Sequence, residues 1–217
     1  MNNKAFWVWF VIVVILGGAL VWFGMNATSV PTDDSGDVAG GDVPTDWEAY
    51  TYGDGLSGSG FTISHPNAVE VYDQGDGAVV FQSFGPTQSY GTEVYDGLVI
   101  SFRRGSYSSS EMSFRELIEG FAQQDDEIGE IITPLHEVAL GGVPGYAYTF
   151  SGQGEFDVYY LDTGRDEFWA VGVLVADPGD LGFAQTSQIM LGSLQVSNGF
   201  TELPQGVGED LLSDILF

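Results

Sequence analysis

The sequence predicts an α+β domain, an antiparallel β-sheet flanked by helices in an α/β/α sandwich, preceded by one transmembrane helix. Three observations carry that expectation. Residues 5–25 form an uncharged apolar run. Residues 57–197 alternate apolar and polar positions between Gly-rich turns, the period of half-buried strands. Two stretches within them switch to helical spacing behind helix-start signals.

The apolar run comes first. Ala5 to Met25 passes 21 residues without a charge. At ~1.5 Å per residue a helix of that length is about 31 Å long, close to the ~30 Å hydrocarbon core of a bilayer. Residues 1–4 are a short leader whose Lys4 is the only lysine, and the first charges beyond the run are Asp33, Asp34 and Asp37. Basic residues are retained on the cytoplasmic side, so the N-terminus is expected inside and the body outside. Trp7, Trp9 and Trp22 lie near the two ends, where amphipathic rings favour the interface. A cleaved signal peptide would have a shorter apolar region ending in small residues, and Met25 with Ala27 makes a poor cleavage pair. The expectation is a retained single-pass anchor in the cell membrane. The sequon Asn26-Ala27-Thr28 abuts the membrane, where modification is not expected.

Charge is the second global feature. The chain has 31 acidic residues against five basic ones and a formal net charge of −26. So negative a surface repels phosphate backbones, which excludes nucleic acid as a partner. Either the acidity keeps the protein hydrated in a saline environment, or it recruits cations or a basic partner. Seven acids fall in residues 26–56, twenty in 57–197 and four in 198–217. That even spread favours the global explanation. Cysteine is absent, which excludes thiol catalysis, disulfides, Cys-based zinc sites and a lipid on cysteine.

Residues 26–56 mix Gly, Pro, Ser, Thr and Asp and read as an acidic flexible linker, with Trp47, Tyr50 and Tyr52 available to dock on the domain. Gly53-Asp54-Gly55-Leu56-Ser57-Gly58 fits a dinucleotide fingerprint in letters only, since it neither follows a strand nor opens a helix. Asp33, Ser35 and Asp37 start like a calcium loop, but Val38 and Pro44 stand where glycine and the closing glutamate belong.

The domain, residues 57–197, opens with the strand Phe61 to Pro66. Val69 to Tyr72, Ala78 to Phe84 and Leu98 to Arg104 follow as strands, with a hairpin turn at 73–77. Ser113-Phe114-Arg115-Glu116 is a capping box, and Phe114, Leu117, Ile118 and Phe121 form one stripe of the helix it starts, to about Asp125. Residues 128–140 read as extended with an interruption near Pro134. Strands at 146–150, 156–161 and 168–175 follow, and Asp177-Pro178-Gly179-Asp180 opens a last helix to about Leu194. Short connections imply an antiparallel sheet with helices packed on it. Residues 198–217 form an acidic amphipathic tail that folds back on the domain or docks to a partner.

The strand ending at Pro66, the helix at 113–125, the segment Leu140-Gly141-Gly142-Val143-Pro144-Gly145-Tyr146-Ala147-Tyr148 and the closing helix into Gly192-Ser193-Leu194 resemble PsbP-like domains, relatives of the extrinsic P subunit of photosystem II and of the Mog-type Ran-binding fold. The resemblance covers residues 57–197. It implies an antiparallel sheet sandwiched by helices and a non-catalytic role in binding or stabilising partners. The family has no shared catalytic motif to carry over, and a photosynthetic role is not implied. His65 stands where such sequences often have an aromatic residue.

Chemistry-bearing residues are few. His65 and His136 are the only histidines and fall on different strands, and no G-x-S-x-G occurs, so no triad hydrolase is indicated. Asp125, Asp126, Glu127 and Glu130 are the densest acidic cluster. They read either as weak Ca²⁺ ligands or as a solvated helix end. Arg103 and Arg104 read as an anion site or, more economically, as partners of nearby carboxylates. Arg165 marks a hairpin turn. Tyr146, Tyr148, Tyr159, Tyr160 and Trp169 read as core, with an exposed recognition patch as the alternative. The expected function is a membrane-anchored, extracytoplasmic, non-enzymatic binding or assembly module with no cofactor and an unknown protein partner. The alternatives are a low-affinity Ca²⁺ binder and an enzyme whose site the sequence does not display.

Overall fold

The computed structural model describes residues 42–53, 59–75, 77–89, 93–109, 111–152 and 154–197. The expected leader, span, tail and most of the linker lie outside them. Among the described residues no helix is long and apolar enough to cross a membrane.

The described residues form ten strands and two helices: β1 (Glu48–Tyr52), β2 (Gly60–His65), β3 (Glu70–Gly75), β4 (Ala78–Phe84), β5 (Gly97–Ser106), α1 (Phe114–Ile128), β6 (Glu130–Leu140), β7 (Val143–Ser151), β8 (Glu155–Gly164), β9 (Glu167–Ala176), α2 (Phe183–Ser193) and β10 (Gln195–Ser197). Seven strands make one antiparallel sheet in the order β3-β4-β5-β9-β8-β7-β6. Three more pair as β1-β2-β10. The predicted α+β class with an antiparallel sheet and two helices is the observed one.

Its first element differs from expectation. Glu48–Tyr52, assigned by composition to the linker, is a strand in full register with β2, from Glu48 opposite His65 to Tyr52 opposite Phe61. The Asp- and Gly-rich surroundings mask a period of two. Tyr50 and Tyr52 both face inward, Tyr50 edge-on to Phe81 and Tyr52 stacked on Phe61. The layer that was expected to be helical is therefore shared between α2 and this small sheet.

Strand register separates the large sheet into two faces. On the first, Val79, Phe102, Val171, Tyr159 and Ala147 lie in one cross-strand row. They pack with Phe61 and Ile63 of β2 and with Met190 and Leu191 of α2 in the main core. Phe61 is its hub, stacked on Phe102 at 4.2 Å between ring centroids and edge-on to Trp169 at 5.1 Å. On the second face, α1 lays Phe114 and Ile118 onto Tyr148, Phe150, Tyr160 and Phe168.

Local chemistry sets the helix ends. The predicted capping box is present: the Glu116 amide donates to Ser113 Oγ, and the Ser113 amide donates to Glu116 Oε2 at 2.8 Å. That helix runs to Ile128, three residues past the expected end. At α2 the Asp177 carboxylate accepts from the amides of Leu181, Gly182 and Phe183. The helix starts at Phe183 because the preceding turn, with Asp180 and Gly182 at positive φ, is held as a loop by that carboxylate. In β6 the expected interruption is a pair of register shifts between Ile131 and His136, around Pro134, within one continuous strand. Gly145 of β7 lies where a Cβ would come 2.1 Å from the Tyr160 carbonyl oxygen, so glycine is what lets these strands meet.

Candidate docking face

The second face of the large sheet is only half covered. Helix α1 packs against β6 and β7 and reaches across Tyr160 of β8 to Phe168 and Ala170 at the start of β9. Beyond it, across β3, β4, β5 and the later half of β9, the same face continues in register. One row runs Tyr72, Val80, Ser101, Gly172 and the next runs Glu70, Gln82, Val99, Leu174. Arg103 stands beyond them, between Ala78 and Ala170. Val80, Gln82, Val99, Ser101, Arg103 and Leu174 are each half-buried, while Tyr72 and Phe84 are 46% exposed. Further along the same rows, under α1, Tyr148 and Tyr160 are at most 2% exposed.

This face has a sequence signal that the period-two reading passes over. Ala78-Val79-Val80-Phe81, Leu98-Val99-Ile100 and Phe168–Ala176 are near-continuous apolar runs. Such runs belong to strands covered on both faces, whereas a strand with one wet face alternates. Here Phe81, Ile100 and Val173 are buried in the main core, and their neighbours Val80, Val99 and Leu174 face the uncovered side. The strands are written for two covers and the described domain supplies one.

Arg103 gives that face its charge. The described ion pairs are Arg115 with Glu119 at 2.8 Å and with Glu137 at 3.9 Å. Among the described residues neither Arg103 nor Arg104 has a carboxylate within ion-pair distance. Strand β5 continues past both to Ser106, which holds Arg103 on the sheet face rather than at a strand end. Glu70, the acid on the same face, accepts from the Tyr72 hydroxyl at 2.5 Å.

The predicted acidic cluster divides. Asp125 turns inward, and its carboxylate accepts from the Tyr148 hydroxyl at 2.5 Å, with Tyr160 a further 3.5 Å away. Burial raises the Asp125 pKa against the lowering effect of that bond. The Tyr148 hydroxyl is pushed far above its ordinary range by burial and by Tyr160 and Asp125. Asp126 accepts from the Ile131 amide at 3.4 Å, while Glu127 and Glu130 are exposed. Among the described residues no three His, Asp or Glu side chains gather as a metal ion requires. The histidines stay apart. His65 is buried against Phe81 and contacts the Pro66 carbonyl, and His136 contacts the Pro134 carbonyl. Tyr148, Tyr159, Tyr160 and Trp169 are core as expected, Tyr146 is half-buried, and Arg165 sits at positive φ in its turn.

Two carboxylates escaped the sequence reading. Asp157 accepts from Thr149 Oγ1 at 2.7 Å on the first face. Burial raises its pKa, partly offset by Thr149 and by the nearby His136. Asp96, 2% exposed, accepts from the Thr87 amide and hydroxyl through Oδ2, while Oδ1 has no partner among the described residues. An aspartate in a turn-rich stretch looks solvated in sequence, and nothing in its neighbours signals burial.

The site is therefore a sheet surface in a small α+β domain, and among the described residues no three His, Asp or Glu side chains gather near it. No protein-family model matches the chain, and no curated protein matches its sequence. Among solved structures it is similar to the solution structure of cyanobacterial PsbP (CyanoP) from Synechocystis sp. PCC 6803, at 13% identity over 73% of this chain and 97% of that one, with a TM-score of 0.45. It is also similar to a crystal structure from Bacteroides thetaiotaomicron VPI-5482, at 12% identity over 64% of this chain and 45% of that one, with a TM-score of 0.31. Neither overlap is close enough to transfer a property.

Proposed function

We propose that the chain is a membrane-anchored, extracytoplasmic and non-enzymatic binding or assembly module of PsbP-like type. Residues 5–25 hold it in the cell membrane and residues 26–47 space the domain from it. The half-covered sheet face receives the partner. The observation that carries this reading is the pairing of continuous apolar strands with a single cover. In a chain of net charge −26, where solvation is otherwise served by carboxylates, Val80, Val99 and Leu174 are the departure that a docking role accounts for.

The test combines topology and capture. Protease added to intact cells should degrade the domain while the anchor stays in the membrane fraction. Affinity capture from solubilised native membranes should recover a stoichiometric protein with the wild-type chain and lose it with Val80→Glu/Val99→Glu. A protease-protected domain, or capture unchanged by that double substitution, would overturn the proposal.

A further inference from the structure

We infer that the uncovered half of the sheet is occupied, in the absence of a partner, by the chain's own segment Asp210–Phe217. The inference rests on reading that face as a docking surface and names its resident occupant.

Size comes first. Four strands spaced ~4.8 Å apart give a strip about 14 Å wide, and Val99 to Arg103 span a similar length along β5. A second copy of the chain would need about 800 Å² per partner for a stable interface, several times what this strip offers. A single helix, ~10–12 Å across with its side chains, fills it. Asp210–Phe217, eight residues, would be about 12 Å long as a helix.

Chemistry then selects the segment. Leu211, Leu212, Ile215 and Leu216 repeat at the spacing of one helical face, and Asp210 and Asp214 lie four apart on its flank. The face opposes them with Val80, Val99 and Leu174, and with Arg103, which makes no described ion pair. Residues 198–217 carry four acids and no base. Most of this acidic domain would repel them, and Arg103 is where that repulsion is locally reversed. Reach is sufficient. The described chain ends at Ser197, paired with Gly60 in the layer over the first face. Residues 198–209, extended at ~3.3 Å each, cover about 40 Å. Ser59, next to Gly60, reaches Glu167 at the start of β9, so the path is two layer spacings of ~10 Å and at most the ~14 Å width of the strip, about 34 Å in all. The segment would then act as an intramolecular competitor that a partner must displace.

The chain contains no cysteine, so Val99→Cys provides a single reporter thiol. Its maleimide-labelling rate is measured in the purified full chain, in the chain lacking 198–217, and in a full chain with Leu212→Ser/Ile215→Ser. Labelling should be about tenfold faster in the last two, a change equivalent to 1.4 kcal/mol of docking. Arg103→Glu should accelerate it in the full chain, and Ile132→Cys on β6 should label equally in all. Equal Val99→Cys rates in all three chains would overturn the inference. If those rates are equal when purified but the full chain is protected in native membranes, the inference fails while the docking reading stands. If no protection appears in either setting, both fail.

Discussion

Asp125 shows how one residue connects the helix to the sheet at a cost. Its carboxylate fixes the last turns of α1 to β7 through the Tyr148 hydroxyl, yet burial raises its pKa above the unfolded value. A raised folded pKa means that the stabilising form is the protonated one. The contribution is fully present below the unfolded pKa of about 3.9 and is lost as pH rises through the folded value. At neutral pH the ionised carboxylate also opposes the helix C-terminal dipole. Asp125→Asn keeps an acceptor for Tyr148 and removes the charge. It should stabilise the domain at pH 7 by about 0.5 kcal/mol, after allowance for solvent screening. Denaturant unfolding at pH 7 and pH 3.5 checks this, and the gain should vanish at the lower pH. Destabilisation at both would mean that the carboxylate's bonds outweigh its burial.

Among the elements, α1 was the most legible. Ser113 and Glu116 stand three apart before an apolar stripe, and both capping bonds form. Ser113→Ala should cost about 1 kcal/mol, measured as a shift in the unfolding midpoint at unchanged slope. Strands with strict alternation or Gly-rich turns were equally readable, as β7, β8 and β9 show. Strand β1 was not, because two inward tyrosines in five residues, among aspartate and glycine, resemble a linker until β2 is present to pair with them. The docking face was half legible. Its continuous apolar runs are in the sequence. How much of that face stays open depends on α1 settling over β6, β7, β8 and the start of β9, a tertiary outcome that no local pattern encodes. The acidic cluster at 125–130 divides for the same reason, with one of its neighbouring carboxylates turned inward and the others in solvent.

For the whole molecule the governing quantity is charge. A net charge of −26 destabilises the compact state through self-repulsion, and screening shortens from ~10 Å at 0.1 M salt to ~3 Å at 1 M. The thermal midpoint should therefore rise with NaCl across that range. At matched ionic strength CaCl₂ should add nothing, because no described carboxylates gather for a divalent ion. A midpoint flat in NaCl but raised by CaCl₂ would reverse that account. The same charge makes the open apolar strip unusual for this surface, and it is there that the proposed role is decided. The most direct measurement compares maleimide labelling of Val99→Cys in the chain lacking 198–217 in native membranes with labelling of that same chain after purification, using Ile132→Cys as reference. A docking face predicts that Val99→Cys is protected at least tenfold in membranes while Ile132→Cys labels alike in both. Equal rates at Val99→Cys would contradict it, leaving the strip as bare sheet.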